Sequence, residues 1–324
     1  MKLPPGNRFV PPRRGVTNTD ARQPFRYSSL LDWRVRRLII NADDFGFTSG
    51  VNRAIAEAHA HGVVTSATLM ARGPAFTEAS QLAQTLPQLS VGCHVVLIDG
   101  ESVLPGSQIS TLVDAQRAPS RFRDGLKNFA ARSLTRRFNP EEIEAEATAQ
   151  IRQVQASGIT VSHVDTHKHT HLFPAVLRPL LRAAASCGVR AIRNPFGPRF
   201  PLRSTNLLAK PGFWTRYAQV RLLRRFAGKF REAVDKEGFS TPDGTLGIEV
   251  TGGLDQNLFR AIAQSIPDGT WEFVCHPGYN DADLQAANTR LRESRETELR
   301  VLTLPAARQL LAEQGITLIS YRDL

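Results

Sequence analysis

The chain has 324 residues, 41% of them hydrophobic and 22% charged, with a formal net charge of +11 at pH 7. Its mean hydropathy of −0.24, the lack of any apolar run near the ~18–20 residues that span a bilayer and an N-terminus, "MKLPPGNRFVPPRRG", without an apolar signal core exclude a helical membrane protein and predict a soluble, unexported one. Three distant cysteines, Cys93, Cys187 and Cys275, exclude a disulfide scaffold and fit a reducing, cytoplasmic compartment.

Residues 1–37 hold nine Lys/Arg against Asp20 and Asp32, and residues 1–34 show neither strand nor helix periodicity, so they are expected to form a basic, disordered tail. The remainder, 35–324, is expected to be a single domain. "RLIINADDF" reads as a buried strand, followed by a helix, "SGVNRAIAEAHAHG", with Val51, Ile55 and Ala58 on one face and Gly62 as its stop. A strand ("VVTSATLMA"), a helix ("AFTEASQLAQTLP") and a strand ("LSVGCHVVL") follow, then a connection of mixed character over about 100–139. "NPEEIEAEATAQIRQVQASG" predicts a helix capped by Asn139, with Pro140 at its first position, early glutamates and Gly158 at its end. "VSHVDTH", "PAVLRPLLRAAASCG", "VRAIRNP", "WEFVCHPG", a helix over roughly 295–314 and the strand "ITLISYRD" continue the alternation. Strands alternating with helices imply right-handed βαβ units and a parallel sheet. The expected fold is α/β, an irregular, TIM-barrel-like (β/α) barrel with its active site at the C-terminal ends of the strands.

The residues that bear chemistry fall at those ends. Asp43 and Asp44 close the first strand; they read either as a strand-end cap or as the start of a turn, eased by Gly46, that sends both carboxylates into one cavity. His94 interrupts an apolar strand and His276 ends another, each either a hydrogen-bonded core residue or a metal ligand. "SHVDTHKHTHLFP" packs four of the chain's eight histidines around Asp165. If the run is extended, His163, Asp165, His167, His169 and His171 share one face. They cannot all bind one ion, because ligands must converge from several directions.

The segments "RLIINADDFGFTSGVNRAIAEAHAHGVVTSATLMARGPAF", "VGCHVVLIDGESVLP", "VSHVDTHKHTHLFP", "CHPGYND" and "SYRDL" resemble the YdjC-like carbohydrate deacetylase family, which includes chitooligosaccharide deacetylases and the hopanoid-associated HpnK group. The resemblance covers about residues 37–324. It implies an irregular (β/α) barrel that removes N-acetyl groups from amino sugars with one divalent metal. Carried over by motif, Asp44, His94 and His167 are the metal ligands, Asp43 the catalytic carboxylate and His276 the general acid. The metal implied is Mg2+; an Asp/His/His set also suits Zn2+, Mn2+ or Co2+.

This mapping is chemically coherent. One carboxylate and two imidazoles leave an open site for water and a polarised carbonyl, and Asp165 can fix a histidine tautomer. His163, His169 and Arg193 are expected behind the ligands or against substrate, His171 there also, and Arg322 in an ion pair. Residues 199–231 hold nine Lys/Arg and no acid. Phe213, Tyr217, Val220, Leu223, Ala227 and Phe230 there form one apolar stripe. The stripe reads as docked on the body, or as an interfacial helix that would bring the enzyme to an anionic membrane and a lipid-linked N-acetylglucosamine. Two local basic segments on an acidic body do not suit nucleic acid. A homodimer is compatible with the sequence. Competing readings are a metal-dependent phosphoester hydrolase and a non-catalytic sugar- or lipid-binding barrel.

Overall fold

β1 (Arg36–Phe45) is the strand on which the sheet is built, and almost all of it is buried. In the computed structural model, which describes residues 35–114, 120–198 and 223–324, it is followed by α1 (Ser49–Ala60), β2 (Ser66–Leu69), α2 (Phe76–Thr85) and β3 (Ser90–Val95). Next come α3 (Leu126–Leu134), α4 (Pro140–Ala156), β4 (Val164–Thr166), α5 (Pro174–Ser186) and α6 (Ala227–Lys236). The described chain ends with β5 (Gly244–Leu246), α7 (Gln256–Ser265), β6 (Gly269–Cys275), α8 (Ala282–Ala286), α9 (Glu293–Thr303), α10 (Pro305–Glu313) and β7 (Ile316–Ile319). The N-terminal tail, and Phe213, Trp214, Tyr217 and Val220 of the amphipathic segment, lie outside the described residues.

All the strand pairings are parallel, in the order β4-β3-β2-β1-β6-β5. β6 covers one edge of β1 from Arg36 to Ala42. On the other edge β7 pairs with Arg36–Ile39, and β2 takes over at Asn41. The gap between β4 and β5 is spanned by short bridges, Val164 with Ile192 and Ala191 with Ser240, and by Thr245 N–H donating to Phe196 O at 3.2 Å. The result is the irregular (β/α) barrel expected. "VRAIRNP", expected as a full strand, supplies only these bridges.

The two faces of the strands differ in chemistry. Leu38, Ile40 and Ala42 of β1 belong to the large apolar core that packs under the helices. Ile39 instead joins a small separate cluster with Ala191 and Tyr321, and above it on the same face come Asn41 and Asp43. Because side chains alternate along a strand, the helix-facing layer is apolar and the barrel interior is polar. β2, β3, β4, β5 and β6 contribute Thr68, His94, Asp165, Thr245 and Glu272 to that interior, all buried. Gly92 is fixed by this arrangement, since a Cβ there would lie 2.5 Å from Cε1 of His163.

Local signals explain most of the helices. Thr48 caps α1, accepting from Val51 N at 3.2 Å, and Val51, Ala54, Ile55 and Ala58 form its buried stripe. Asn139 caps α4 as expected, accepting from Glu141 N at 2.9 Å. The single helix expected over 295–314 is two helices: Pro305 disfavours the helical conformation at the preceding residue, and Leu304 is extended (φ −63°, ψ 131°).

The described part of the amphipathic stripe docks on the body. Leu223 and Ala227 pack against the core, and Phe230, 2% exposed, meets Phe196 edge-on at 5.7 Å. No helix among the described residues is long and apolar enough to cross a membrane. Phe230→Ala is expected to cost about 3–5 kcal/mol in a urea titration, as for any buried Phe. A variant as stable as the parent would detach the stripe from the core.

Candidate active site

Both adjacent aspartates turn into the barrel interior because the end of β1 is irregular. The pairing of β1 with β2 shifts between Ala42 and Phe45, and Asp44 takes a left-handed backbone (φ 68°), a conformation Asp tolerates better than most residues. The turn begins at Asp44, two residues before Gly46 (φ 89°). Asp43 follows the ordinary alternation into the barrel, and the bulge at Asp44 turns the second carboxylate the same way.

Three ligand atoms face one another here. Asp44 Oδ1 lies 3.6 Å from His94 Nε2 and 3.5 Å from His167 Nδ1, and the two histidine nitrogens are 3.3 Å apart. Two ligands about 2.0–2.2 Å from a common ion at near-tetrahedral angles stand roughly 3.3–3.6 Å apart. The residues therefore fit a divalent metal. A second group, Asp43, His94 and Asp165, is close enough but already filled: Arg193 lies against both carboxylates, and Asp165 holds the Nδ1 side of His94. Charge balance also suits a cation in this interior. Four buried carboxylates, Asp43, Asp44, Asp165 and Glu272, meet two buried guanidiniums, Arg193 and Arg295, a deficit a dication would offset.

Hydrogen bonds aim these groups. Asp165 Oδ1 lies 2.7 Å from His94 Nδ1; by accepting that N–H it makes Nε2, which faces Asp44, the nitrogen that would give up its proton to take a cation. Burial disfavours a charged His94, but Asp165 above all outweighs it, and the pKa of the metal-free protein is raised to about 9. Arg295 Nη2 donates to Asp44 Oδ2 at 2.6 Å, which leaves Oδ1 free to ligate. Burial would raise the Asp44 pKa, yet Arg295 and His167 hold it well below the usual carboxylate range. Asp43 is gripped by two Arg193 nitrogens, Nη1 at 2.9 Å and Nη2 at 2.7 Å, with Asn41 Nδ2 at 2.9 Å. Burial again opposes ionisation, and Arg193, with smaller help from His94, overrides it, so the Asp43 pKa is strongly lowered. Asp43 Oδ2 lies 3.9 Å from His276 Nε2. Burial lowers the His276 pKa, with Asp43 pulling the other way, and its backbone N–H is fixed by Glu298 at 2.6 Å.

The histidine run does not stay extended. β4 ends at Thr166, and Lys168 (φ 55°) and His169 (φ 53°) are left-handed, so the shared face ends at His167. His163 sits one layer below the site, stacked on Tyr321 at 3.5 Å with its Nδ1 2.9 Å from Ser162 Oγ; burial lowers its pKa well below the usual value. That place suits packing, not substrate contact. His171 is bound to Thr166 Oγ1 (2.7 Å) and Arg193 O (3.2 Å), and burial lowers its pKa to about 3. His169 is half-buried on the turn beside His167, with a buried Nδ1 that has no partner. Arg322 forms no ion pair among the described residues; its guanidinium donates to Pro87 O and Leu89 O at 2.7 and 2.9 Å.

Sequence reasoning missed Arg295, Glu272, Thr68 and Tyr321. Arg295 comes from a helix of mixed charge and has no local signal. Glu272, a lone acid within the apolar "WEFVC", carries one, because a buried carboxylate requires a partner.

The family profile of the YdjC-like proteins matches residues 37–313. Curated relatives named carbohydrate deacetylase are 32% identical in Brevibacillus brevis, over 89% of this chain and 99% of that one, and 34% identical in Geobacillus stearothermophilus, over 89% and 98%. A crystal structure of a "putative cellobiose-phosphate cleavage protein" from Enterococcus faecalis V583 superposes with a TM-score of 0.70 at 27% identity, covering 89% of this chain and 98% of that one.

Metal uptake should be coupled to protons. With its pKa raised to about 9, His94 is protonated in the metal-free protein at neutral pH, and a ligand must be deprotonated to bind. Zn2+ titrated at pH 7 should release protons, with apparent affinity rising as the pH approaches 9. The His94–Asp165 pairing that stabilises the metal-free fold works in the opposite sense: it is complete below the unfolded histidine pKa and lost as pH rises through 9. His167→Ala should fold and retain no stoichiometric metal by elemental analysis. Full occupancy in that variant would remove His167 from the ligand set.

Proposed function

Because the chain belongs to the YdjC-like protein family, we propose that it is a metal-dependent deacetylase that hydrolyses the N-acetyl group of an amino sugar. The reading rests on one observation: the triangle of Asp44, His94 and His167 lies beside the ionised carboxylate of Asp43 and the imidazole of His276, which are 3.9 Å apart. Two imidazoles and one carboxylate suit Zn2+ or Mn2+ better than Mg2+, which prefers an all-oxygen shell. Held by Asp44, His94 and His167, such an ion would polarise the acetamide carbonyl and acidify a water.

The remaining work belongs to the chain's own residues. Asp43 is ionised throughout the working pH range because Arg193 neutralises it in place, so it is always ready to accept the proton of an attacking water. Its low pKa makes it a transient holder and the proton must move on. His276, across 3.9 Å, has a pKa lowered by burial, so a proton placed on it is readily surrendered to the departing amine as the C–N bond breaks. Glu298 sets its orientation through the backbone N–H. Acetate and the free amino sugar leave.

The substrate we favour is a soluble chitooligosaccharide over a lipid-linked sugar, because Leu223, Ala227 and Phe230 spend their apolar faces on the barrel and are not available to a membrane.

The test is acetate release from N-acetylated chitooligosaccharides, followed by mass spectrometry for loss of an acetyl group, in protein reconstituted with Zn2+ or Mn2+ and in chelator-treated controls. Asp43→Asn should keep its metal and lose turnover by about 100-fold or more, the smaller end of a general base's contribution. Near-parental kcat in the metal-loaded variant would sink the role given to Asp43.

A further inference from the structure

Arg193 has no spare donor. Its Nε–H reaches Glu272 Oε1 at 2.9 Å, and Nη2 divides between that same oxygen (2.7 Å) and Asp43 Oδ1 (2.7 Å). Nη1 divides between Asp43 Oδ2 (2.9 Å) and Asp165 Oδ2. A guanidinium offers five N–H groups in one rigid plane, and each has a carboxylate acceptor. Glu272 therefore holds one edge of the plane while the other edges aim Asp43 and Asp165. Behind it, Glu272 Oε2 is pinned by Tyr321 Oη at 2.7 Å and Thr245 Oγ1 at 2.9 Å. Tyr321 is fixed in turn by its stack on His163 and by Ser66 Oγ, which accepts its backbone N–H at 3.2 Å. Every link is buried.

We propose that Glu272 and Tyr321 are positioning residues for the reaction: through Arg193 they set the aim of the Asp43 carboxylate and, through Asp165, of the His94 ring. The proposal rests on the deacetylase reading. Tyr321, which follows β7 near the end of the sequence, reaches the reacting groups without touching them. A single hydroxyl at the barrel floor thus governs geometry two layers above it. The chain of contacts has no slack, since each acceptor that Arg193 uses is itself held by a second group.

Tyr321→Phe removes only the hydroxyl and keeps the ring on His163. Glu272→Gln keeps one acceptor for Arg193 and replaces the oxygen facing Tyr321 and Thr245 with a donor. Both are compared with the parent on an N-acetylated chitooligosaccharide, with kcat, KM, bound metal and thermal midpoint measured. The expected result is a kcat lower by about 10- to 100-fold, the scale of a sub-ångström to ångström misplacement, with KM and metal content as in the parent. Folded, metal-loaded variants with parental kcat would overturn the proposal, as would a loss that only follows the unfolded fraction at the assay temperature. Should Glu272→Gln fail to fold, Tyr321→Phe decides alone, because its packing is unchanged. A parent that releases no acetate from any N-acetylated sugar would strike the deacetylase reading instead, and the two failures are thereby distinct.

Discussion

A guanidinium enclosed by three carboxylates inside a barrel is the constraint around which the rest of this structure is arranged. Charge buried without a partner is costly, and a buried pair that loses one member costs about 3–5 kcal/mol, so Arg193, Asp43, Asp165 and Glu272 bind one another or none can remain. Each comes from a different segment: the end of β1, β4, the bridge beyond it, and β6. The polar interior thus ties the strands together where a conventional barrel would use branched apolar side chains. The apolar layer has moved outward, under the helices.

The same enclosure explains the division of labour among neighbouring carboxylates. Asp43 and Asp44 are adjacent in sequence and equally hidden, yet each has its own guanidinium. Arg193 covers both oxygens of Asp43, whereas Arg295 takes one oxygen of Asp44 and leaves the other facing His94 and His167. One carboxylate is closed off from a cation and the other is left half open. What separates the proposed base from the proposed ligand is which arginine arrives and how many oxygens it covers.

Much of the candidate site was legible because its residues sit in contiguous motifs at strand ends. Asp43–Asp44 after "LIIN", His94 within "VGCHVVL" and His276 within "CHPG" announce themselves as polar interruptions of buried strands. The parallel alternation gave the fold class for the same reason. The extent of the histidine face was not legible, since the left-handed turn at Lys168 and His169 follows no pattern that side-chain period reveals. Arg295 was hidden for another reason: on a helix rich in charge, nothing local separates the one guanidinium that points inward. The break at Leu304–Pro305 should have been read, because a proline restricts its predecessor regardless of tertiary context.

The backbone at Asp44 has an evolutionary corollary. A left-handed residue at the end of β1 tolerates aspartate, asparagine or glycine and resists almost everything else, so the position is filtered first by conformation and only then by chemistry. The substitution easiest on the chain is therefore asparagine, which keeps the turn and the oxygen geometry while discarding the negative charge. Conformation alone would let a descendant exchange "ADDFG" for "ADNFG", but the buried guanidinium of Arg295 would then lose its carboxylate, so charge retains what the backbone would release.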